Sequence, residues 1–438
     1  MRATIRIKRY SMNEWMLMLI IGIVLGQGLL IEFFGLPSGI KYINDLVWAI
    51  LLSEIMVNKF RMRCPQCTRL FSIVVFYFLV TVVGFVLNQY SPLYYLWGFR
   101  NNFRFFVFFF ACTLYLRYDS ARDVLKLLSK VFYINFAVVL IQFFLLGKKM
   151  DYLGGIFGVQ RGCNAKMMVL LCSFTAKRIL EYYHREIGLS RFVADSLISM
   201  IIAALSELKM FVVMYVGVIA LASLIMKFTW RKMSVSIAAV ILCYVGIHLL
   251  SLIYPNWSEI FSIERLLNEA SSASGYTGRG GFNRLTTIPI ILKDFLDTVP
   301  ERLFGLGLGN CDTSTFSILN TPFFKRYSAT RYNWFSSSFV MLETGFAGLV
   351  TYVAFFASTF LQSNSTKNKK NYDVQFCQLS AIMACVCIVL VIYNASMRIE
   401  EAYLAYFYMS LAFIRKDDKA SIRKQYLHAA RQRGYVNE

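Results

Sequence analysis

The chain has 438 residues, of which 57% are hydrophobic, 16% aromatic and only 16% charged, and its formal net charge is +21. A soluble globular protein carries about 25% charged residues, so this composition excludes an ordinary soluble domain. Apolar runs of about 20 residues, the length that a helix needs to cross a bilayer, recur along the chain. We therefore predict an all-α polytopic membrane protein in which residues 1–438 form a single integral membrane domain.

Twelve apolar segments are predicted to form transmembrane helices: 14–34, 42–57, 70–87, 103–116, 129–146, 166–182, 192–206, 210–226, 234–253, 336–361, 374–394 and 402–414. Segments 103–116 and 402–414 are short for a span and are expected to extend into their flanks. The division of 192–226 into two helices depends on the polar break Glu207-Leu208-Lys209. The first segment lacks a small-residue cleavage site, so we expect a retained helix rather than a signal peptide.

The distribution of Lys and Arg predicts the orientation of the chain. With the N-terminus placed inside, the segments on that side hold 29 of the 46 Lys and Arg residues. Eight of the other 17 lie in the long segment 254–335, to which the positive-inside rule does not apply. We therefore expect both termini in the cytoplasm, 254–335 as a large external loop between spans nine and ten, and 415–438 as a basic cytoplasmic tail. This sidedness explains the net charge without a nucleic-acid partner.

The long segment 254–335 carries glycine clusters and arginines, which together suit an anionic ligand. Gly275–Gly281 contains four glycines and Arg279, and Arg284 follows shortly afterwards. Glycine lets a backbone approach a ligand closely, and arginine offers a planar fork of donors to phosphate or carboxylate. A second cluster, Phe304–Asn310, follows no predicted strand, so a tight turn is expected there rather than a dinucleotide site.

The run Asn283–Leu296 has the periodicity of a short amphipathic helix. Pro289 is late for a first helical turn, so a kink or a later helix start is expected. Such a helix could offer backbone N–H donors to a phosphate, or it could lie on the membrane surface and cover the bundle. One helix could do both.

Arginines on the predicted external side run against the usual bias and need an explanation. The set comprises Arg100, Arg104, Arg161, Arg279, Arg284 and Arg398. They could hold an anionic lipid-linked substrate such as a diphosphate, or they could snorkel or pair with Asp151, Glu400 or Glu401. We expect the set to converge on one pocket.

Carboxylates at or within the predicted spans are functional candidates. Glu207 and Lys209 lie at an external span junction, where Glu207 also fits a structural ion pair. Glu343 lies eight residues into the tenth span and is a candidate general base towards a sugar hydroxyl. No Cys or His cluster has the spacing of a metal site, so neither a metal nor another cofactor is predicted.

The chain resembles the superfamily of O-antigen polymerases and O-antigen ligases. The matching features are about twelve spans, a large external loop before the last three, Gly278-Arg279, Phe304–Gly307, and Met341–Leu349 opening a span. Upstream, Gly155–Gly162 and Leu205–Lys209 look like the earlier external motifs of the family.

The resemblance implies a metal-independent, inverting glycosyltransferase of the bacterial inner membrane, with an undecaprenyl-diphosphate-linked oligosaccharide as donor. The ligase branch usually has a histidine shortly before the glutamate-glycine segment, but this chain reads Tyr332-Asn333-Trp334-Phe335-Ser336 there. That difference favours a polymerase of O-antigen, capsule or exopolysaccharide repeat units over a ligase. A flippase or transporter is a further alternative, although the suspicious charges gather on one side and no internal repeat is visible.

The resemblance leaves the general base unassigned, and the following roles of the candidate residues in a polymerase are our hypothesis. Arg161, Arg279 and Arg284 would neutralise the departing diphosphate, and Glu343 would take the acceptor proton. Other carboxylates of the loop, namely Glu259, Glu264, Glu269 and Asp312, are alternatives for that base. The remaining candidates would contact substrate: Arg100, Arg104, Glu207, Lys209, Arg331 and Arg398. Expected partners are the membrane lipid, a chain-length regulator and a flippase.

Overall fold

The computed structural model describes residues 10–57, 65–226, 230–253, 276, 280–284, 286–314 and 316–416. Helix makes up 79% of the structure, and no strand forms among the described residues. The all-helical class predicted from composition is therefore confirmed. Arg279, the three loop glutamates at 259, 264 and 269, and nearly all of the basic tail lie outside the described residues.

The helices of the described part are numbered here in chain order. They are α1 Met12–Glu32, α2 Ile43–Val57, α3 Pro65–Asn88, α4 Pro92–Tyr115, α5 Tyr118–Leu140, α6 Cys163–Tyr183, α7 Leu189–Leu205, α8 Lys209–Ile225, α9 Trp230–Ile253, α10 Thr287–Asp294, α11 Val299–Phe304, α12 Pro322–Tyr327, α13 Ser336–Thr366, α14 Val374–Tyr393 and α15 Ala402–Ser410. Each of the twelve apolar segments overlaps one of the helices α1–α9 or α13–α15.

Six of these helices are long and apolar enough to cross a membrane, judged by length and composition. They are α1, α3, α5 with its π-helical continuation to Leu145, α9, α13 and α14. Helix α8 and the run Ala402–Phe413, which contains α15, are apolar but shorter. The described part of the chain thus has the helices of a polytopic membrane protein.

Two uncertain helix boundaries have local explanations. Helix α4 begins at Pro92, well before the apolar run 103–116, because proline fits the first turn of a helix, where no backbone N–H is needed. Helices α7 and α8 are separate: Glu207 adopts a positive φ of 55°, and the N–H of Leu208 donates to the carbonyl of Ala203. The polar break seen in the sequence is therefore a tight turn.

Helix α15 lies at the centre of the bundle, since every residue of Ala402–Ser410 is buried. Phenylalanines of α4 pack against its tyrosines: the ring centroids of Phe105 and Tyr403 are 4.9 Å apart, and those of Phe106 and Tyr406 are 5.6 Å apart. A helix buried on all sides can be apolar all round, and α15 shows no polar face. The contact places α15 beside the middle of α4.

The described part of 254–335 has its own small core, which rests on the first turns of α13. The buried side chains are Phe282, Ile290, Ile291, Leu296, Cys311, Tyr332, Phe335, Phe339, Met341 and Leu342. Helix α10 begins at Thr287, so Pro289 occupies its third position and Arg284 precedes the helix. The later start follows from the missing N–H of proline, which is tolerated only in the first turn.

The glycine cluster Phe304–Asn310 is a turn whose backbone lies directly on α13. Gly305, Gly307 and Gly309 have φ values of 73°, 99° and 80°. The N–H groups of Leu306 and Gly307 donate to the carbonyls of Leu342 and Glu343, at 2.8 and 3.1 Å. These carbonyls are free to accept because the helix is kinked at Gly345, which has φ 63° and ψ −164°. The expected tight turn is confirmed, and its glycines serve backbone-to-backbone packing.

Candidate functional site

A cavity of about 640 Å³ opens at the end of the bundle where α1 ends and where α4, α6 and α13 begin. Its remaining walls come from the turn Ser38–Tyr42, from residues 312–314 and from the turn 395–401 that precedes α15. The cavity is rich in charge: its lining includes Lys41, Arg100, Arg104, Lys166 and Arg398 together with Glu32, Asp312, Glu400 and Glu401.

Arg100 and Arg104 lie one helical turn apart on α4 and so face the same side. Arg100 donates from Nε and Nη2 to the two carboxylate oxygens of Asp45, at 2.9 and 2.5 Å. Its guanidinium also lies over the ring of Trp97, 4.8 Å from the centroid. The planar fork is thereby fixed in orientation at the cavity wall.

Arg104 is only 4% exposed and donates from Nη1 to Glu400 at 2.6 Å. Its Nε has no hydrogen-bond partner. Glu400 lies in the turn before α15, so this ion pair joins two regions almost 300 residues apart in the chain. The sequence left two roles open for Arg104, substrate binding and pairing with a carboxylate. The structure shows the pairing with Glu400.

Arg398 lies between two acidic side chains. Its Nη2 is 3.6 Å from Asp312 and its Nη1 is 3.5 Å from Glu343, and its guanidinium covers the face of Phe339. Asp312 also accepts a hydrogen bond of 2.5 Å from the Asn101 side chain. The network therefore connects α4, the segment after the glycine turn, α13 and the turn before α15.

The turn that carries Arg398 is held by backbone contacts. The carbonyl of Asn394 accepts from both the N–H and the hydroxyl of Ser336, each at 2.9 Å. The hydroxyl of Tyr352 donates to the carbonyl of Met397 at 3.2 Å. Contacts with α13 therefore fix the backbone of the turn at Asn394 and Met397, just before the ion-paired residues 398–401.

Glu343, the base favoured by the sequence, is 1% exposed and does not line the cavity. It contacts the cavity wall through Arg398, whose Nη1 is 3.5 Å from its Oε2. Its position behind Arg398 suits a counter-charge that orients the guanidinium. A direct contact between Glu343 and a molecule in the cavity would require Arg398 to move.

Glu401 is an acidic residue of the cavity that the sequence analysis considered only as an ion-pair partner and not as a catalytic candidate. It lines the cavity and is 1% exposed, and the ammonium of Lys166 lies 3.7 Å from its Oε1. Neither carboxylate oxygen has a hydrogen-bond partner. Burial raises the pKa of Glu401, and the charge of Lys166 opposes that rise. The only signal in the sequence was a pair of successive glutamates immediately before a short apolar run.

Two of the predicted catalytic arginines lie outside the cavity lining. Arg161 is exposed and its Nε is 4.0 Å from Asp151, although it directly follows the lining residue Gln160. Arg284 is exposed, donates to the carbonyl of Tyr393 at 3.1 Å and stacks on its ring. Their roles in catalysis stay predictions.

The other predicted binding residues are also apart from the cavity lining. Arg331 lies over the ring of Trp334, 4.6 Å from its centroid. Glu207 and Lys209 pair with each other at 2.8 Å in the α7–α8 turn. Of the predicted set, Arg100, Arg104 and Arg398 therefore share one cavity.

In the part of the chain that the structure describes, no group of three or more His, Cys, Asp or Glu side chains could hold a metal ion. The cavity instead combines guanidinium groups, two ammonium groups, carboxylates and the aromatic faces of Trp97 and Tyr42. No protein-family model and no curated protein matches this sequence.

Proposed function

We propose that this protein is a polysaccharide polymerase that joins undecaprenyl-diphosphate-linked oligosaccharide repeat units by inverting glycosyl transfer. The observation that carries the proposal is the meeting of Arg100, Arg104 and Arg398 with several carboxylates in one cavity at one end of an apolar helical bundle. The product would be O-antigen, capsule or exopolysaccharide.

The arginines of the cavity suit a diphosphate leaving group. Guanidinium forks match phosphate oxygens in geometry and charge. As the glycosidic bond to the diphosphate breaks, negative charge grows on the departing oxygen, and fixed donors stabilise it. A single preorganised donor of this kind contributes about 100- to 1,000-fold in rate. Lys41 adds a further positive charge at the wall, over the ring of Tyr42.

The remainder of the cavity suits sugars. Carboxylates accept hydrogen bonds from hydroxyl groups, and the flat faces of Trp97 and Tyr42 can pack against apolar sugar faces. The cavity volume lies within the range of about 300–1,000 Å³ that is typical of small-molecule sites. The donor diphosphate and the adjoining sugars would thus occupy the same space.

The membrane arrangement belongs to the same proposal. The twelve apolar helices would all span the bacterial inner membrane, with both termini in the cytoplasm and the cavity at the outer face. The distribution of Lys and Arg along the chain supports this orientation. A cavity on the outer face would receive lipid-linked units only after a flippase has delivered them.

The proposal is tested by the surface polysaccharide of a strain that lacks this chain, separated on a gel. Collapse of the ladder to lipid-anchored single units, with recovery when the chain is restored, is the expected result. An unchanged ladder would refute the proposal. Loss of all surface sugar with lipid-linked units accumulating inside would support a flippase instead.

A matched pair of variants then tests the cavity. Arg100→Lys keeps the charge but removes the fork that contacts Asp45, so we expect single units in place of long polymer. Arg122→Lys, an exposed arginine near the start of α5, is the control and should restore the full ladder. Membrane levels of both variants are compared by immunoblot.

A further inference from the structure

The carboxylates that line the cavity differ in how their oxygens are used. Glu32 accepts the backbone N–H of a residue in the loop before α6. Asp312 accepts from the Asn101 side chain, and Glu400 accepts from the guanidinium of Arg104. Each of these three carboxylates therefore has a structural hydrogen-bond partner on at least one oxygen.

Glu401 differs from these three. It is 1% exposed, and neither of its carboxylate oxygens has a hydrogen-bond partner. The Lys166 ammonium, at 3.7 Å, is too distant for a strong hydrogen bond. A buried carboxylate whose nearest cation lies 3.7 Å away can accept further hydrogen bonds, and donors from a bound molecule would stabilise it. Because Glu401 lines the cavity, that molecule would carry a hydroxyl or ammonium group.

We infer that Glu401 is the general base that takes the proton of the acceptor sugar's hydroxyl, an inference that rests on the proposed polymerase function. The acceptor is then the non-reducing end of a lipid-linked repeat unit. Its hydroxyl occupies the space next to Glu401, and the donor diphosphate lies against the arginines of the same cavity.

The reaction is balanced within these groups. As the acceptor hydroxyl gives its proton to a Glu401 carboxylate oxygen, its oxygen forms a bond to the anomeric carbon of the donor sugar. The bond between that carbon and the diphosphate oxygen breaks, and its electron pair leaves with the undecaprenyl diphosphate. Attack opposite the leaving group inverts the anomeric configuration. The proton on Glu401 passes to water after the products separate.

The surroundings of Glu401 match the needs of such a base. Burial raises the pKa of Glu401, and the charge of Lys166 opposes that rise, so the two groups together set the protonation of this carboxylate. The other charged or titratable groups that act on this pair are Glu400, Glu32 and Cys163. Lys166 is thus a positioning residue that acts through Glu401.

The test uses the purified full-length chain in lipid vesicles, with undecaprenyl-diphosphate-linked repeat units as the substrate. The rate of polymer formation is followed from about pH 5 to about pH 9, and substrate binding is measured separately. We expect Glu401→Gln to lower the rate by about 100- to 10,000-fold with binding retained. The acid limb of the pH–rate profile, which reports protonation of the base, should disappear.

The matched control is Glu186→Gln, an exposed glutamate beyond the end of α6, which should behave as wild type. Two further variants remain informative if the Glu401→Gln protein folds poorly. Glu401→Asp keeps a carboxylate and should retain measurable activity with its acid limb. Lys166→Met removes the ammonium that favours the ionised form and should move the acid limb to higher pH.

The outcomes separate the two proposals. If the wild-type chain forms no polymer, the polymerase function itself is refuted. If wild type polymerises and Glu401→Gln matches its rate, the base assignment fails while the polymerase stands. An acid limb that persists in Glu401→Gln, or one that stays fixed in Lys166→Met, would equally refute the role of Glu401.

Discussion

The contact between Gly98 and Gly309 gives the sharpest test of how the cavity is held. Gly98 lies in α4, two residues before Arg100, and a Cβ there would be 2.4 Å from the backbone nitrogen of Gly309 and 2.5 Å from its Cα. Both neighbours are backbone atoms, so no side chain can rotate away. Gly98→Ala therefore has to displace the glycine turn, and with it the adjoining Asp312.

The expected magnitudes follow from this geometry. Non-bonded heavy atoms are most stable at about 3.5–4.0 Å, so the turn has to move by about 1 Å. Overpacking destabilises by about 1–3 kcal/mol, and alanine recovers about 1 kcal/mol over glycine inside a helix. The net loss of stability is thus about 0–2 kcal/mol. A 1 Å displacement of groups at a reaction centre, by contrast, lowers the rate about 100-fold.

Gly217→Ala is the matched control, because Gly217 lies in α8 with no atom within 4 Å of an added Cβ. Polymer formation and thermal unfolding in detergent are measured for both variants. Gly98→Ala should unfold near the wild-type temperature yet form polymer about 100-fold more slowly, and Gly217→Ala should be fully active. Wild-type activity in Gly98→Ala would show that the turn does not position the cavity.

Two predictions concern the other end of the bundle. Arg117→Met leaves the fully buried Glu14 without the guanidinium that contacts both its oxygens. We expect the free energy of unfolding, measured in detergent, to fall by about 3 kcal/mol. Adding Glu14→Gln should restore part of that loss, because it removes the unpaired buried charge. Burial by itself raises the pKa of Asp373, but hydrogen bonds from Tyr118 and Lys416 prevail and hold it below its ordinary value. Asp373 therefore stabilises the fold above about pH 4, and that stabilisation is lost as the pH falls through the lowered pKa. An Asp373→Asn chain whose unfolding temperature depends on acid pH as steeply as wild type would contradict this.

The positions of the helices could be predicted because apolar length is a local property of the sequence. Every predicted apolar segment overlaps a helix, and the weak break at Glu207 is a real turn. Two helices begin at other residues than their apolar or periodic runs predict. Helix α4 begins earlier, at Pro92, and helix α10 begins later, at Thr287, because of Pro289. Whether all twelve helices cross the membrane depends on their surroundings as well as on their sequence.

The composition of the site could be predicted only in part. Arg100, Arg104 and Arg398 stood out because cations on the predicted external side are unusual, but their meeting depends on contacts across almost 300 residues. A single sequence could not show which of the successive residues Glu400 and Glu401 pairs with an arginine. It also could not show that the glycines of 304–310 pack against helices.

The pairing of the cavity arginines with carboxylates bears directly on how a phosphate would bind. A buried guanidinium without a counter-charge is strongly destabilising, so the partners Asp45, Glu400 and Asp312 hold the arginines in the wall. Arginine has five N–H donors, so one edge of the group can keep its carboxylate while another contacts a ligand. Arg104 Nε has no hydrogen-bond partner, whereas Arg398 Nη1 lies 3.5 Å from Glu343.

A lysine ammonium in these places would have no second planar edge to offer. The ion pairs are therefore compatible with anion binding. Because each arginine keeps a carboxylate partner, the strength of these pairs determines which anions the cavity can bind. A singly charged anion gains little beside a neighbouring carboxylate, whereas a diphosphate carries enough charge and enough oxygens to contact two or three guanidinium groups at once. This requirement for several simultaneous contacts is what would let the cavity distinguish a lipid diphosphate from the monophosphate headgroups of the surrounding membrane.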